Sequence, residues 1–257
     1  MQRPALPPVF VHAPFAHRGY HARREGRPEN SRAAFRAAVA AGYGIELDVQ
    51  VSRDGQAMVF HDEALARLTG VTGMVAERDA ADLGRIALSG GDEGIPTLAQ
   101  VLVLVGSRVP LLIEIKDRHG TLTAPDGVLE AAVVRALQGY TGPVAVMSFN
   151  PTSIALLART APHLPRGLTT DPYDPADWAP LPQATCDRLR GIPDYAAVGA
   201  SFISHKAGDL RSERVAALRA QGAAILCWTI RSAAAEAQAR RLADNVTFEG
   251  YAAAIPA

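Results

Sequence analysis

Cysteine is nearly absent: Cys186 and Cys227 are the only two in 257 residues. That excludes a disulfide framework and a spaced metal–thiolate set, and a reducing cytoplasm is the expected compartment. An excess of either charge is also missing, with 26 Lys+Arg against 26 Asp+Glu. No net field is therefore available to hold nucleic acid or an anionic membrane. Aromatic residues make up only 6%, low for a protein that stacks bases, so no nucleic-acid partner is expected. The longest uncharged run, between Arg135 and Arg159, is broken by Gly142-Pro143 and Asn150-Pro151 and cannot be one spanning helix. The opening MQRPALPPVFVHAPF has an Arg but no long apolar stretch, and its four prolines argue against a secretory signal. Lysine is scarce as well. Only Lys116 and Lys206 occur, and every other cation in the basic total of 26 is an arginine. A compact ammonium is not interchangeable with a planar fork at a tight site, which singles out both lysines.

What is present is apolar sequence, 48% of the chain, cut into short runs by Ala-rich helical stretches. Strands are predicted near 14–18, 44–51, 111–116, 144–149, 166–170, 202–206, 223–230 and 245–249. Helices fit Ser31–Ala41, Thr97–Val105, Pro125–Gln138, Pro151–Ala161, Leu210–Gln221 and Ser232–Ala243, several with start or stop residues in place. Eight strands alternating with helices predict an α/β TIM (β/α)8 barrel, a single domain over 1–257 with a hairpin extension after the second strand. A doubly wound open sheet is the rival, weakened by the lack of a glycine-rich fingerprint after the first strand. Residues 171–200, rich in Pro and Asp, read as a long loop with one short helix.

Chemistry concentrates at strand ends. In Gly44–Val51 the side chains alternate, so Glu46 and Asp48 share one face while Ile45, Leu47, Val49 and Val51 share the other. If the apolar face packs under helices, the carboxylates point into the barrel, where they need a cation or donors. Asp54-Gly55 signals a tight turn. Pairing Arg53 with Gln56 sets Asp48 opposite His61, and a three-residue loop is read as setting His61 opposite Val49 instead. Glu114 and Lys116 share a face of the 111–116 strand. Glu46, Asp48 and Glu114 then converge as an oxygen-only set suited to Mg²⁺ or Ca²⁺ rather than zinc. His17, after the first strand, and His61 could divide acid and base work, while Arg18 and Lys116 could grip an anion.

These residues resemble a known family. His17-Arg18-Gly19, Pro28-Glu29-Asn30-Ser31 with Ala34-Phe35, Glu46-Leu47-Asp48-Val49, Asp54-Gly55, His61-Asp62, Leu65, Gly73, Ile95-Pro96-Thr97-Leu98, Ile113-Glu114-Ile115-Lys116, Ser148-Phe149 and Trp228-Thr229 occur in order over residues 16–230. The set is similar to glycerophosphodiester phosphodiesterases. The resemblance implies a TIM barrel that hydrolyses glycerophosphodiesters to sn-glycerol 3-phosphate and an alcohol at the C-terminal mouth. It implies a divalent cation on Glu46, Asp48 and Glu114, acid–base catalysis by His17 and His61, phosphate contacts from Arg18 and Lys116, and Trp228 lining the substrate pocket. Glu29 and Asn30 match the motif in a supporting role.

Two features depart from that pattern or lie outside it. Thr247-Phe248-Glu249-Gly250-Tyr251 stands where many relatives carry Thr-Asp-x-Pro, and Glu249 either replaces the Asp or caps the strand. Lys206 matches no motif position; with His205 it is a candidate to reach the mouth, against the alternative of a solvated loop cation. The competing readings are a lysophospholipid-directed phosphodiesterase, a metal-independent glycosidase using Glu46 and Glu114, and a catalytically silent binder of glycerophospho-ligands. The alcohol, the oligomeric state and the choice between water and the glycerol 2-hydroxyl as nucleophile are open at this point.

Overall fold

A computed structural model describes residues 3–256. Nine strands form one sheet: β1 (Phe15–Ala16), β2 (Gly44–Val51), β3 (Ala57–Val59), β4 (Leu111–Ile115), β5 (Val144–Ser148), β6 (Arg166–Thr170), β7 (Phe202–Lys206), β8 (Ala224–Ile230) and β9 (Asn245–Phe248). Their order is β1-β9-β8-β7-β6-β5-β4-β2-β3, and β1 also bonds to β2. Eight strands therefore close a ring while β3 hangs outside it on β2. The fold is the TIM barrel expected from the alternation of elements. Its helices are α1 (Arg32–Ala41), α2 (Ala66–Thr69), α3 (Ala80–Leu83), α4 (Leu98–Val105), α5 (Val128–Ala136), α6 (Pro151–Thr160), α7 (Gln183–Arg190), α8 (Glu213–Ala220) and α9 (Ala233–Ala239). The short α2 and α3 carry no periodic signal long enough to read from sequence, whereas α7 is the single helix expected within 171–200.

The chain forms two compact units. One comprises Phe15–Lys116 and Asp126–Val144. Within it β2 pairs in parallel with β1 and with β4, and all eight of its residues are buried. Ile45, Leu47 and Val49 are fully buried on the face opposite the carboxylates, each worth about 2 kcal/mol in apolar burial. Helix α1 starts where Ser31 Oγ accepts from the Ala34 N–H at 3.0 Å and stops at Gly42, in the left-handed region. A capping box between Thr97 and Gln100 opens α4.

The hairpin corrects the expected register. Its loop has three residues, and Val49 pairs with Val59, Gln50 with Met58 and Val51 with Ala57. The pairing slips in the opposite sense to the one predicted for a three-residue loop, so neither Asp48 nor Val49 pairs with His61. The cause is local: Ser52 donates its backbone N–H to Gln56 O at 3.0 Å, and its Oγ accepts from Gln56 N–H at 2.9 Å. Gly55, at φ +73°, closes the turn in the left-handed region. From β3 onward, Met58, Phe60, Leu65, Leu68, Val75, Leu83, Leu88 and Ile95 make a small core of their own. This core fixes the path of His61 and Asp62.

The other unit comprises the segment up to Pro14, Asp117–Pro125 and Ala145–Ala257. Strands β6, β7 and β8 are parallel neighbours. Asn150 caps α6 by accepting from Thr152 N–H at 2.9 Å, and Asn245 Nδ2 donates to the carbonyls of Phe10 and Ala13 at 2.8 and 2.7 Å. Tyr173, Leu181, Cys186 and Leu189 form a buried cluster under the 171–200 excursion. Both cysteines are free and buried.

Candidate metal centre and flanking histidines

Strand alternation and parallel register build the site. Asp48 and Glu114 are partners across β2 and β4, and Glu46 stands two residues before Asp48 on the same face. Each of the three offers a carboxylate oxygen, and these atoms lie within 4.8 Å of one another in a buried cluster. Three anions that close are costly in a low dielectric. Burial, then the charges of Asp48 and Glu114, hold the Glu46 carboxyl well above its usual range, although the Arg18 backbone N–H donates to its Oε2 at 3.0 Å. Asp48 goes the other way. Burial opposes ionisation, but Lys116, His61 and Arg18 outweigh it and keep Asp48 far below the usual carboxylate range. Lys116 Nζ donates to Glu114 Oε1 at 2.7 Å and lies 3.3 Å from Asp48 Oδ1. Despite its burial, those two carboxylates raise its affinity for the proton.

The turn after β1 brings in the remaining groups. Arg18 and Asn30 both adopt left-handed backbone, at φ +54° and +55°, and Asn30 N–H donates to Arg18 O at 2.9 Å. Gly19, at φ +80°, cannot be replaced without cost, because a Cβ there would stand 2.9 Å from Phe35. Strained non-glycine backbone of this kind costs of order 1 kcal/mol or more per residue and clusters at functional sites. Here it aims Asn30 Nδ2 at Asp48 Oδ2, 3.0 Å away, and sets the Arg18 guanidinium between Glu29 Oε1 at 2.9 Å and Asp48 Oδ2 at 3.5 Å. Arg18 Nε is buried without a hydrogen-bond partner among the described residues. His17 Nε2 lies 4.0 Å from Glu46 Oε2. His61 presents Nδ1 to Asp62 Oδ1 at 2.7 Å.

Thus Glu46, Asp48, Glu114, Lys116, Arg18, His17 and His61 occupy one unit, and the first three gather as expected. An all-carboxylate donor set fits a hard divalent cation. Asn30, on Asp48, takes a supporting place as the motif implies, whereas Asp62 and Arg67 are contributors to which the sequence assigns no role. Adjacency to His61 was the available signal for Asp62; nothing in the sequence spacing signalled Arg67.

The other unit holds Trp228, whose indole N–H donates to Ser204 O at 3.0 Å and whose ring meets Phe149 edge-on at 5.6 Å. Trp178 also meets Phe149, tilted, at 5.0 Å. Lys206 is a clamp for the 171–200 excursion, 3.1 Å from Asp171 and 3.6 Å from Asp177. His205 is buried between Thr170 Oγ1 at 2.8 Å and Asp209 Oδ2 at 3.0 Å. Burial holds its pKa down even though Asp209 pulls it up. Glu249 accepts from Arg231 Nε at 2.8 Å. Among the described residues, no helix is long and apolar enough to cross a membrane.

Comparison with known proteins points one way. Residues 17–247 match the glycerophosphoryl diester phosphodiesterase family. The chain is similar to a glycerophosphodiester phosphodiesterase of Caldanaerobacter subterraneus, with 35% identity over 60% of this chain and 64% of that protein. Another, from Bacillus altitudinis, shows 34% identity over 61% of this chain and 65% of that protein. The chain thus spans just under two thirds of each relative. In fold it is similar to an Oleispira antarctica phosphodiesterase solved with its product sn-glycerol-3-phosphate: TM-score 0.76, 22% identity, 94% of both chains covered.

Proposed function

This chain belongs to the glycerophosphoryl diester phosphodiesterase family, and from that premise we propose that it hydrolyses glycerophosphodiesters to sn-glycerol 3-phosphate and an alcohol. The observation that carries the reading is the meeting of Glu46, Asp48 and Glu114 within 4.8 Å of one another, with His17 Nε2 4.0 Å from Glu46. In this reading the three carboxylates would hold Mg²⁺ or Ca²⁺, which would supply Lewis-acid positive charge to a bound phosphodiester.

The chain's own residues do the rest. Arg18 offers a phosphate oxygen a guanidinium fork already oriented by Glu29. Lys116 adds a compact charge held in place by Glu114. Of the two imidazoles, one takes a proton from the nucleophile and the other returns one to the leaving alkoxide. With Nδ1 turned to Asp62, His61 exchanges its proton at Nε2. The nucleophile is water or the glycerol 2-hydroxyl, the latter through a cyclic phosphate. Trp228 gives the substrate an apolar wall. The family match across 17–247 supports reading 1–257 as one domain, and two free, buried cysteines suit a cytoplasmic setting.

The test is a panel of divalent cations against glycerophosphodiesters that differ in their alcohol, with released glycerol 3-phosphate as the readout. Release should vanish in EDTA and return with Mg²⁺ or Ca²⁺. Hydrolysis of a glycosyl substrate that survives EDTA would replace this reading with a glycosidase. Tight binding of glycerophospho-ligands without turnover under any cation would replace it with a binding protein. A strong preference for lysophospholipids would move the substrate class.

A further inference from the structure

We infer that Arg67 is a positioning residue whose single guanidinium holds both arms of the site, Arg18 through Glu29 and His61 through Asp62. Its Nε donates to Asp62 Oδ2 at 2.5 Å and its Nη2 to Asp62 Oδ1 at 3.0 Å. The same Nη2 donates to Glu29 Oε1 at 2.6 Å, and Nη1 to Glu29 Oε2 at 3.0 Å. Each carboxylate is therefore gripped by two N–H groups, and each reaches a different group of the site: Glu29 Oε1 also accepts from Arg18 Nη1 at 2.9 Å, and Asp62 Oδ1 meets His61 Nδ1 at 2.7 Å.

Only a planar fork can satisfy two carboxylates in this way, since an ammonium is a point charge with no fixed plane. Arg67 is carried on α2, between the buried Leu65 and Leu68, so the small core from β3 onward sets where the fork stands. The Arg67 side chain is about half exposed, 49%, and ion pairs at that exposure contribute little to stability. The network's effect then falls on geometry: it fixes the imidazole's rotamer and tautomer and the pitch of the Arg18 fork.

This inference rests on the phosphodiesterase reading for its kinetic consequence but not for its structural one, and the experiment separates them. Arg67→Gln and Arg67→Lys are made in the full chain, with Arg53→Gln, in a surface ion pair with Asp79, as the control. Arg67→Gln should lower kcat about 10- to 100-fold, the usual cost of losing a group that orients a functional side chain, raise KM through Arg18, and leave Tm within a few degrees. Arg67→Lys should recover less than the full rate. In combination with Asp62→Asn, the kcat losses should not multiply. Independently of turnover, the His61 ring N–H resonance should shift or broaden in Arg67→Gln and stay unchanged in Arg53→Gln. An unchanged His61 resonance, wild-type kcat in Arg67→Gln or Arg67→Lys, or fully multiplicative losses would each overturn the inference. If the wild-type chain hydrolyses no glycerophosphodiester, the functional reading fails while the resonance still decides the role of Arg67.

Discussion

Asp48 and Glu114 are register partners on adjacent parallel strands, and Lys116 Nζ bridges them at 3.3 and 2.7 Å. Parallel pairing makes this unavoidable: once Ile45 pairs with Leu111, every residue of one parity on β2 shares a face and a height with its partner on β4. Two buried anions therefore confront each other with Glu46 just below. Lys116, two residues past Glu114 on the same face, is the cation the backbone can place there.

Removing that ammonium should strip Glu114 and Asp48 of their nearest cation, leaving Arg18 beside Asp48 alone. Lys116→Met is expected to cost about 3 kcal/mol, the scale for breaking a buried charge network by deleting one partner. Millimolar Mg²⁺ or Ca²⁺ should recover more stability in the variant than in the wild type. Urea unfolding with and without divalent cation measures both, and a loss under about 1 kcal/mol would mean that solvent already screens the cluster.

Cation binding should be visible without substrate. A ligand that binds only the folded chain at 100 times its dissociation constant adds about 2.7 kcal/mol, so Tm should rise with Mg²⁺ or Ca²⁺ and fall back in EDTA. Glu114→Gln keeps the shape but loses the anion, and Asp48→Asn does the same. Each should abolish the rise. A cation-induced shift of wild-type size in both variants would place the ion elsewhere.

The Arg67 network carries an acid-side signature. Burial pushes the Asp62 and Glu29 carboxyls up, but His61 and Arg67 outweigh it for Asp62, and Arg67 and Arg18 for Glu29. Both are depressed in the folded state, from ordinary values of 3.8 and 4.5, so the unfolded chain binds more protons as pH falls. The stabilisation is complete above those ordinary values and is lost as pH drops through the lowered folded ones. With screening at a half-exposed side chain it amounts to at most about 1 kcal/mol. The Tm gap between wild type and Arg67→Gln should be widest near neutral pH and close in acid, as thermal melts across that range would record.

The barrel was legible because its strands carry a strong local signal. Gly44–Val51 and Phe202–Lys206 are found as predicted, their apolar runs being bounded by helix stops and turns. The three carboxylates were legible for the same reason, since strand parity alone puts Glu46 and Asp48 on one face. The hairpin register was not. It depends on Ser52 bonding to Gln56 around a left-handed Gly55, a hydrogen-bond choice that a two-residue turn signal cannot specify. Arg67 was invisible too, because its partner Glu29 is 38 residues away and only the small core from β3 onward brings them together. Lys206 shows the converse: rarity drew notice to it, yet the structure ties it to Asp171 and Asp177.

Trp228 offers the last separation, between binding and chemistry. Its ring is held by the Ser204 carbonyl at 3.0 Å and by Phe149 at 5.6 Å, and in the proposed reading it is an apolar wall for the substrate. A wall that touches the unreacting part of a substrate binds ground state and transition state alike, which lowers KM without raising kcat. Trp228→Ala should raise KM about tenfold, the worth of roughly 1.4 kcal/mol of lost contact, with kcat changed far less. Trp228→Phe keeps most of the apolar area but not the N–H, and should fall between the two. If Trp228→Ala instead lowered kcat with KM unchanged, the indole would be acting on the reacting atoms rather than on an unreacting part of the substrate.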